Sequence, residues 1–179
     1  MSLPDQLTVA RVVAVPVVVL LFAWEFRDHA YWATAVFVGA MATDQVDGWL
    51  ARRRGTSSQL GTLLDPVADK VLVLAALVML VAEGVAPGWM VALIVVREIL
   101  VSGLRLAAIE RGVVLAARDL GRVKTWAQAV AATIAGLAAA GLWSETVAWW
   151  AVLAALAATW VSGLDYARVA PSVLRGERA

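Results

Sequence analysis

Four aspartates stand where a hydrophobic chain has least use for them. Asp44 and Asp47 are three residues apart, and Asp65 and Asp69 are four apart. On a helix, either spacing puts both carboxylates on one face. Two such faces brought together repel and raise each other's pKa unless cations intervene. Hard divalent ions, Mg2+ or Mn2+, take oxygen ligands and remove that conflict. Two such ions about 4 Å apart form a known clamp for phosphoryl oxygens. Gly48 follows Asp47 directly, and Gly61 sits one turn before Asp65. Lacking a side chain, each lets a ligand approach the backbone. Arg52, near the same helix end, suits a phosphate. Asp65-Pro66 also reads as N-cap and first helical residue of the third helix. The rival reading makes the aspartates merely solvated helix caps.

A second set of charges is cationic. Arg97 lies well inside an apolar run, and Arg105 is eight residues further on, about two helical turns, hence on the same face. Arg122 and Lys124 open the next apolar segment. A buried arginine requires an anionic partner. Glu98 is expected to serve Arg97 poorly, because adjacent helical residues point apart. A phosphorylated substrate would satisfy the cluster, whereas the rival is a structural ion pair among Arg97, Glu98 and the aspartates. His29 is assigned no role, and Arg118 reads as a loop charge facing lipid headgroups.

The elements that must position these groups are membrane helices. The chain has 179 residues and is 62% hydrophobic, against about half for a soluble domain. The length allows one domain over 1–179, and six spans of about 20 residues use most of it. The patterning predicts helices over 9–26, 31–53, 65–82, 87–111, 122–141 and 145–169. Arg27-Asp28-His29, Glu83 to Gly88 and Gly141 to Glu145 break the apolar runs on one side. Arg52 to Asp65 and Arg111 to Lys124 break them on the other. That second side holds Arg52, Arg53, Arg54, Arg111, Arg118, Arg122 and Lys124, with Arg11 and the tail arginines, against Arg27 alone opposite. The positive-inside rule therefore places both termini and the two longer loops in the cytoplasm. Trp24, Trp32, Trp89, Trp143, Trp149 and Trp150 fall near the outer ends, as an interfacial belt does; core packing is the alternative.

Residues 1–8 read as a short interfacial segment, or else as a disordered tail. They show no basic n-region, so the first apolar stretch is expected to be retained. The Ala/Gly-rich fifth helix suits close packing or a subunit interface. There are no cysteines, which excludes disulfides and thiolate metal sites. The net charge of +1 gives no indication of a nucleic-acid partner.

Asp44-x2-Asp47-Gly48-x2-Ala51-Arg52-x8-Gly61-x3-Asp65-x3-Asp69 resembles the full signature of the CDP-alcohol phosphotransferases, with all eight fixed positions and every spacing intact. The resemblance implies a six-helix membrane fold, usually homodimeric, with its site at the cytoplasmic face of the inner membrane. It implies a hydroxyl acceptor displacing CMP from a CDP-linked donor in the presence of Mg2+ or Mn2+. Carried over, Asp44, Asp47, Asp65 and Asp69 resemble the metal ligands, and Asp69 the general base. Asp44, Asp47, Gly48, Ala51, Arg52, Gly61 and Asp65 match positions that bind the CDP moiety. Ala51 lies one turn after Asp47, where a small residue keeps that face open.

Leu3 to Thr8 with Arg11, Leu64 to Lys70, Arg97-Glu98-x3-Ser102-x-Leu104-Arg105 and Gly121 to Thr125 with Gln128 are similar to the phosphatidylglycerophosphate synthase branch. That branch joins sn-glycerol 3-phosphate to CDP-diacylglycerol, which makes Arg97, Arg105, Arg122 and Lys124 candidates for the acceptor's phosphate. Asp5 departs from the asparagine usual in that branch. The last fifty residues read as hydrophobic bulk. The same chemistry with inositol phosphate or phosphatidylglycerol as acceptor is the nearest alternative. A divalent-cation transporter is another, and it predicts carboxylates near the bilayer midplane.

Overall fold

The computed structural model describes the backbone of residues 3–54, 59–110 and 119–175, and the side chains of 9–43, 70–108, 110, 121 and 123–164. Six helices fill these segments: α1 (Leu3–Ala23), α2 (His29–Arg54), α3 (Gln59–Ala82), α4 (Gly88–Glu110), α5 (Asp119–Ala139) and α6 (Glu145–Arg175). No strand occurs among the described residues. Within the described residues α5 packs most extensively on α6, α1 on α2 and α3, and α4 on α6, with α5 also touching α2 and α3.

Local chemistry sets the helix ends. Asp28 has φ 63°, a left-handed conformation that Asp tolerates better than most residues. Its carbonyl accepts from Trp32 N at 3.1 Å, which starts α2. Gly84 and Gly141 have φ 77° and 70°. Each closes a helix in a Schellman pattern, with Val85 N donating to Leu80 O at 3.2 Å and Leu142 N to Leu137 O at 2.9 Å. Glycine takes that position without the Cβ penalty. Pro87 then starts α4, its carbonyl accepting from Met90 N at 3.0 Å, and Ser144 starts α6 by accepting from Ala148 N at 3.1 Å. These turns fall where the sequence predicts breaks.

Several boundaries differ from expectation. Residues 3–8 continue into α1 without interruption, so among the described residues they are part of the first helix. α2 runs on to Arg54 and α3 begins at Gln59, which shortens the expected 52–65 connection. Asp65-Pro66 therefore lies about two turns inside α3 and does not cap it; Leu60, Leu63 and Leu64, good helix formers, carry the helix upstream. α6 extends six residues past the expected 169, to Arg175.

The interior is built of small residues. About half of the buried apolar positions are alanine, among them Ala33, Ala76, Ala132, Ala135 and Ala155, while Leu20, Val78, Ile99, Leu100, Leu106, Val161 and Leu164 face outward. Membrane helices pack in this way, because small side chains let backbones approach closely. Gly136 is the extreme case. A Cβ there would strike Thr34 Oγ1 and lie 3.0 Å from its Cγ2. The small-residue face of α5 thus serves packing within the chain. Among the described residues, Glu145–Leu164 alone is long and apolar enough by itself to cross a bilayer, with Val9–Ala23 and Lys70–Ala82 as shorter apolar stretches. Charges within α4, Arg97, Glu98 and Arg105, interrupt what is otherwise an apolar helix. The six predicted tryptophans flank the 24–28, 83–88 and 140–144 turns and are 38% to 74% exposed, which sets aside core packing.

Candidate active site

Asp44, Asp47, Gly48, Ala51 and Arg52 lie in the last three turns of α2. Gly61, Asp65 and Asp69 lie in the first three turns of α3. Both stretches are helical, so the three- and four-residue spacings do place each aspartate pair on one helix face. Their side chains fall outside the described ones, as does that of Arg122 on α5. Four carboxylates would make an all-oxygen, anionic donor set, of the kind that suits a hard divalent ion and no soft one. Among the described side chains no three of His, Asp or Glu converge.

Next to Asp69, the described side chains form a polar network through the apolar bundle. Its centre is Glu98 on α4, whose side chain is 3% exposed. Glu98 Oε1 accepts from Arg97 Nη1 at 3.2 Å, from Gln128 Nε2 at 3.3 Å and from Lys124 Nζ. Lys70 Nζ lies 3.7 Å from Glu98 Oε2 and donates to Ser102 Oγ at 2.8 Å. The network continues onto α6. Arg97 Nη2 donates to Ser162 Oγ at 3.0 Å, and Gln128 Nε2 to Thr159 Oγ1 at 2.8 Å. Gly163 makes room for the guanidinium, since a Cβ there would lie 3.0 Å from Arg97 Nε.

Two expectations are corrected here. Glu98 does bind Arg97: their Cα–Cβ bonds point apart, but the two long side chains bend back far enough to meet. The last helix is more than hydrophobic bulk, because Thr159, Ser162 and Gly163 furnish one wall of the network. Their three- and four-residue spacing along an apolar helix is the signal that marks them, since polar and small residues on one face hold neighbouring helices.

Of the four acceptor candidates, the structure brings Arg97 and Lys124 together on one carboxylate. Arg105 stands two turns along α4 from Arg97, half-buried, within electrostatic reach of Lys70. Arg11 is also buried. Lys70, 35% exposed, reaches Ser102 and Glu98 on α4. At the opposite end, His29 is held by Glu83, Nε2 to Oε1 at 3.1 Å.

α3, which carries Asp65 and Asp69, reaches the buried polar network through Lys70. Residues 1–161 match the CDP-alcohol phosphatidyltransferase family, and the chain belongs to it. It is 43% identical over 142 residues to the CDP-diacylglycerol--glycerol-3-phosphate 3-phosphatidyltransferase of Bacillus subtilis, covering 73% of this chain and 74% of that protein. It is 39% identical over 168 residues to a probable phosphatidylglycerophosphate synthase of Mycobacterium tuberculosis, covering 92% and 79%. A CDP-diacylglycerol--glycerol-3-phosphate 3-phosphatidyltransferase of Pseudomonas fluorescens is 44% identical over 130 residues, covering 71% of this chain and 65% of that protein.

Proposed function

We propose that this chain transfers the phosphatidyl group of CDP-diacylglycerol to a hydroxyl of sn-glycerol 3-phosphate, giving phosphatidylglycerol phosphate and CMP. The observation that carries this reading is the 43% identity to the Bacillus subtilis enzyme over 142 residues, a stretch long enough to include several helices of the bundle. The acceptor oxygen attacks the β-phosphorus, and the bond to the CMP oxygen breaks. Asp69 takes the hydroxyl proton. Gly48, Ala51, Arg52 and Gly61 accommodate the CDP moiety. Arg97, Arg105, Arg122 and Lys124 bind the acceptor's phosphate, and their positive charge holds it in line.

Asp44, Asp47, Asp65 and Asp69 would hold Mg2+ or Mn2+, two ions in this reading. When bound, such ions supply charge compensation for the diphosphate. The exposed tryptophans and outward-facing leucines and valines support a multi-pass protein of the inner membrane, with six spans and both termini in the cytoplasm. In that orientation the aspartates and the arginine-rich connections share the cytoplasmic side, and the acyl chains of the donor remain in lipid. Assembly as a homodimer is supported by the family resemblance.

The purified protein in detergent, given labelled CDP-diacylglycerol and Mg2+, is expected to release CMP with glycerol 3-phosphate. Release with inositol phosphate alone would refute the acceptor assignment. Absence of release with any alcohol would refute the transferase reading for this chain.

A further inference from the structure

Glu98 has no part in the chemistry just described, yet its single carboxylate meets partners from three helices. Arg97 lies on α4 itself, Lys124 and Gln128 reach it from α5, and Lys70 from α3. A buried ion pair is weak ground for stability, because well-packed apolar side chains of similar volume often serve as well or better. A carboxylate kept in so apolar a bundle therefore calls for another use. The geometry shows one. A lysine side chain is a flexible stem of four carbons, and Lys124 is held with its ammonium against Glu98 Oε1. The Arg97 guanidinium is fixed between the same oxygen and Ser162. Among the described residues, Glu98 is the carboxylate that these two cations share.

We infer that Glu98 is a positioning residue for the anionic co-substrate: it holds the Lys124 ammonium and the Arg97 guanidinium side by side before a phosphomonoester arrives. The order of those side chains is then established in advance, and binding the phosphate does not have to supply it. This rests on the reading that Lys124 and Arg97 meet the acceptor's phosphate.

The test is steady-state kinetics of the full chain in mixed micelles, with donor and acceptor varied separately, on Glu98→Gln, Glu98→Asp, Lys124→Gln and the Glu98→Gln/Lys124→Gln double variant. Glu98→Gln is expected to raise the acceptor KM about tenfold or more, while the donor KM stays within about twofold. The double variant is expected to be worse than Lys124→Gln alone by clearly less than the Glu98→Gln effect, because part of what Glu98 does passes through Lys124, the rest through Arg97, and coupled residues are not additive. Glu98→Asp keeps the charge but withdraws it by one carbon. It is expected to raise the acceptor KM alone, and it carries the test if Glu98→Gln does not fold. Equal rises in both KM values, or additive effects in the double variant, would overturn the inference in favour of a structural ion pair. An acceptor KM that moves in Lys124→Gln but in neither Glu98 variant would overturn it while leaving the acceptor pocket standing. An acceptor KM unmoved by Lys124→Gln would remove the pocket reading, and this inference with it.

Discussion

His29 and Glu83 join two turns that lie 54 residues apart in the chain, with Nε2 3.1 Å from Oε1. The other ring nitrogen, Nδ1, lies 3.0 Å from the carbonyl of Phe26. Both nitrogens thus face acceptors, and only the imidazolium can donate to both. Partial burial opposes the charge, but the Glu83 carboxylate and the Phe26 carbonyl outweigh it, with a further contribution from Glu25, and the pKa is raised above 6.5. Neither group lies within the predicted spans. A raised folded-state pKa contributes stability that is present below the unfolded value and is lost as pH rises through the folded one. Thermal unfolding in detergent is expected to show a lower Tm above that pH than below 6.5. Glu83→Gln should flatten the dependence and cost about 1 kcal/mol at low pH. An unchanged pH profile in that variant would show that the contact contributes nothing.

Packing between α2 and α5 gives a second prediction. Gly136→Ala places a methyl against Thr34, and overpacking of this kind costs about 1–3 kcal/mol. Thr34→Ala removes the obstructing atoms. Among the described residues the Thr34 hydroxyl donates to Ala30 O at 2.7 Å, a carbonyl already within the helix, so its loss leaves no buried donor stranded. The double variant is expected to recover most of the Tm lost by Gly136→Ala. Failure to recover would place the strain elsewhere.

Asp69 carries the third. If it is the base, Asp69→Asn should lower kcat by about a hundredfold or more while CDP-diacylglycerol still binds, as followed by equilibrium binding of labelled donor. Chelation with EDTA should abolish turnover in the unaltered protein, and Mg2+ or Mn2+ should restore it. Near-normal activity in Asp69→Asn would take the base assignment away from this residue.

Arg105 carries the fourth. It lies on the Arg97 face of α4 but is less buried, as a residue meeting a water-soluble acceptor should be. Arg105→Ala is expected to raise the acceptor KM about tenfold with a small change in kcat, the signature of lost uniform binding. A fall in kcat at constant KM would assign it to the transition state instead.

The sequence was most informative where a residue type had a single physical use. Gly84, Gly141 and Pro87 marked turns because their backbone preferences leave little choice. Six of the nine tryptophans were expected near one set of turns, and they lie exposed there. Helix ends without such punctuation were missed: nothing in Gln59 to Leu64 forbids a helix, and α3 begins there. The aspartate spacings were legible as one-faced pairs, and α2 and α3 are helical through them. What spacing could not supply was the reach of long side chains. Glu98 was set aside for Arg97 on the direction of its Cα–Cβ bond, whereas the tips of both side chains decide the contact. Thr159, Ser162 and Gly163 went unread because their partners lie on helices far away in the chain.

The alanine interior and branched exterior also bear on how this chain can change over generations. At Ala33, Ala76, Ala132, Ala135 or Ala155 an added methylene has to push two helices apart. At Leu100, Leu106 or Val161 one aliphatic side chain can replace another and meet only lipid in the proposed orientation. The least variable positions are therefore expected to be the smallest residues. The bulky residues of the outer face should be among the freest to drift, unlike the buried Phe37, Leu72 and Met90.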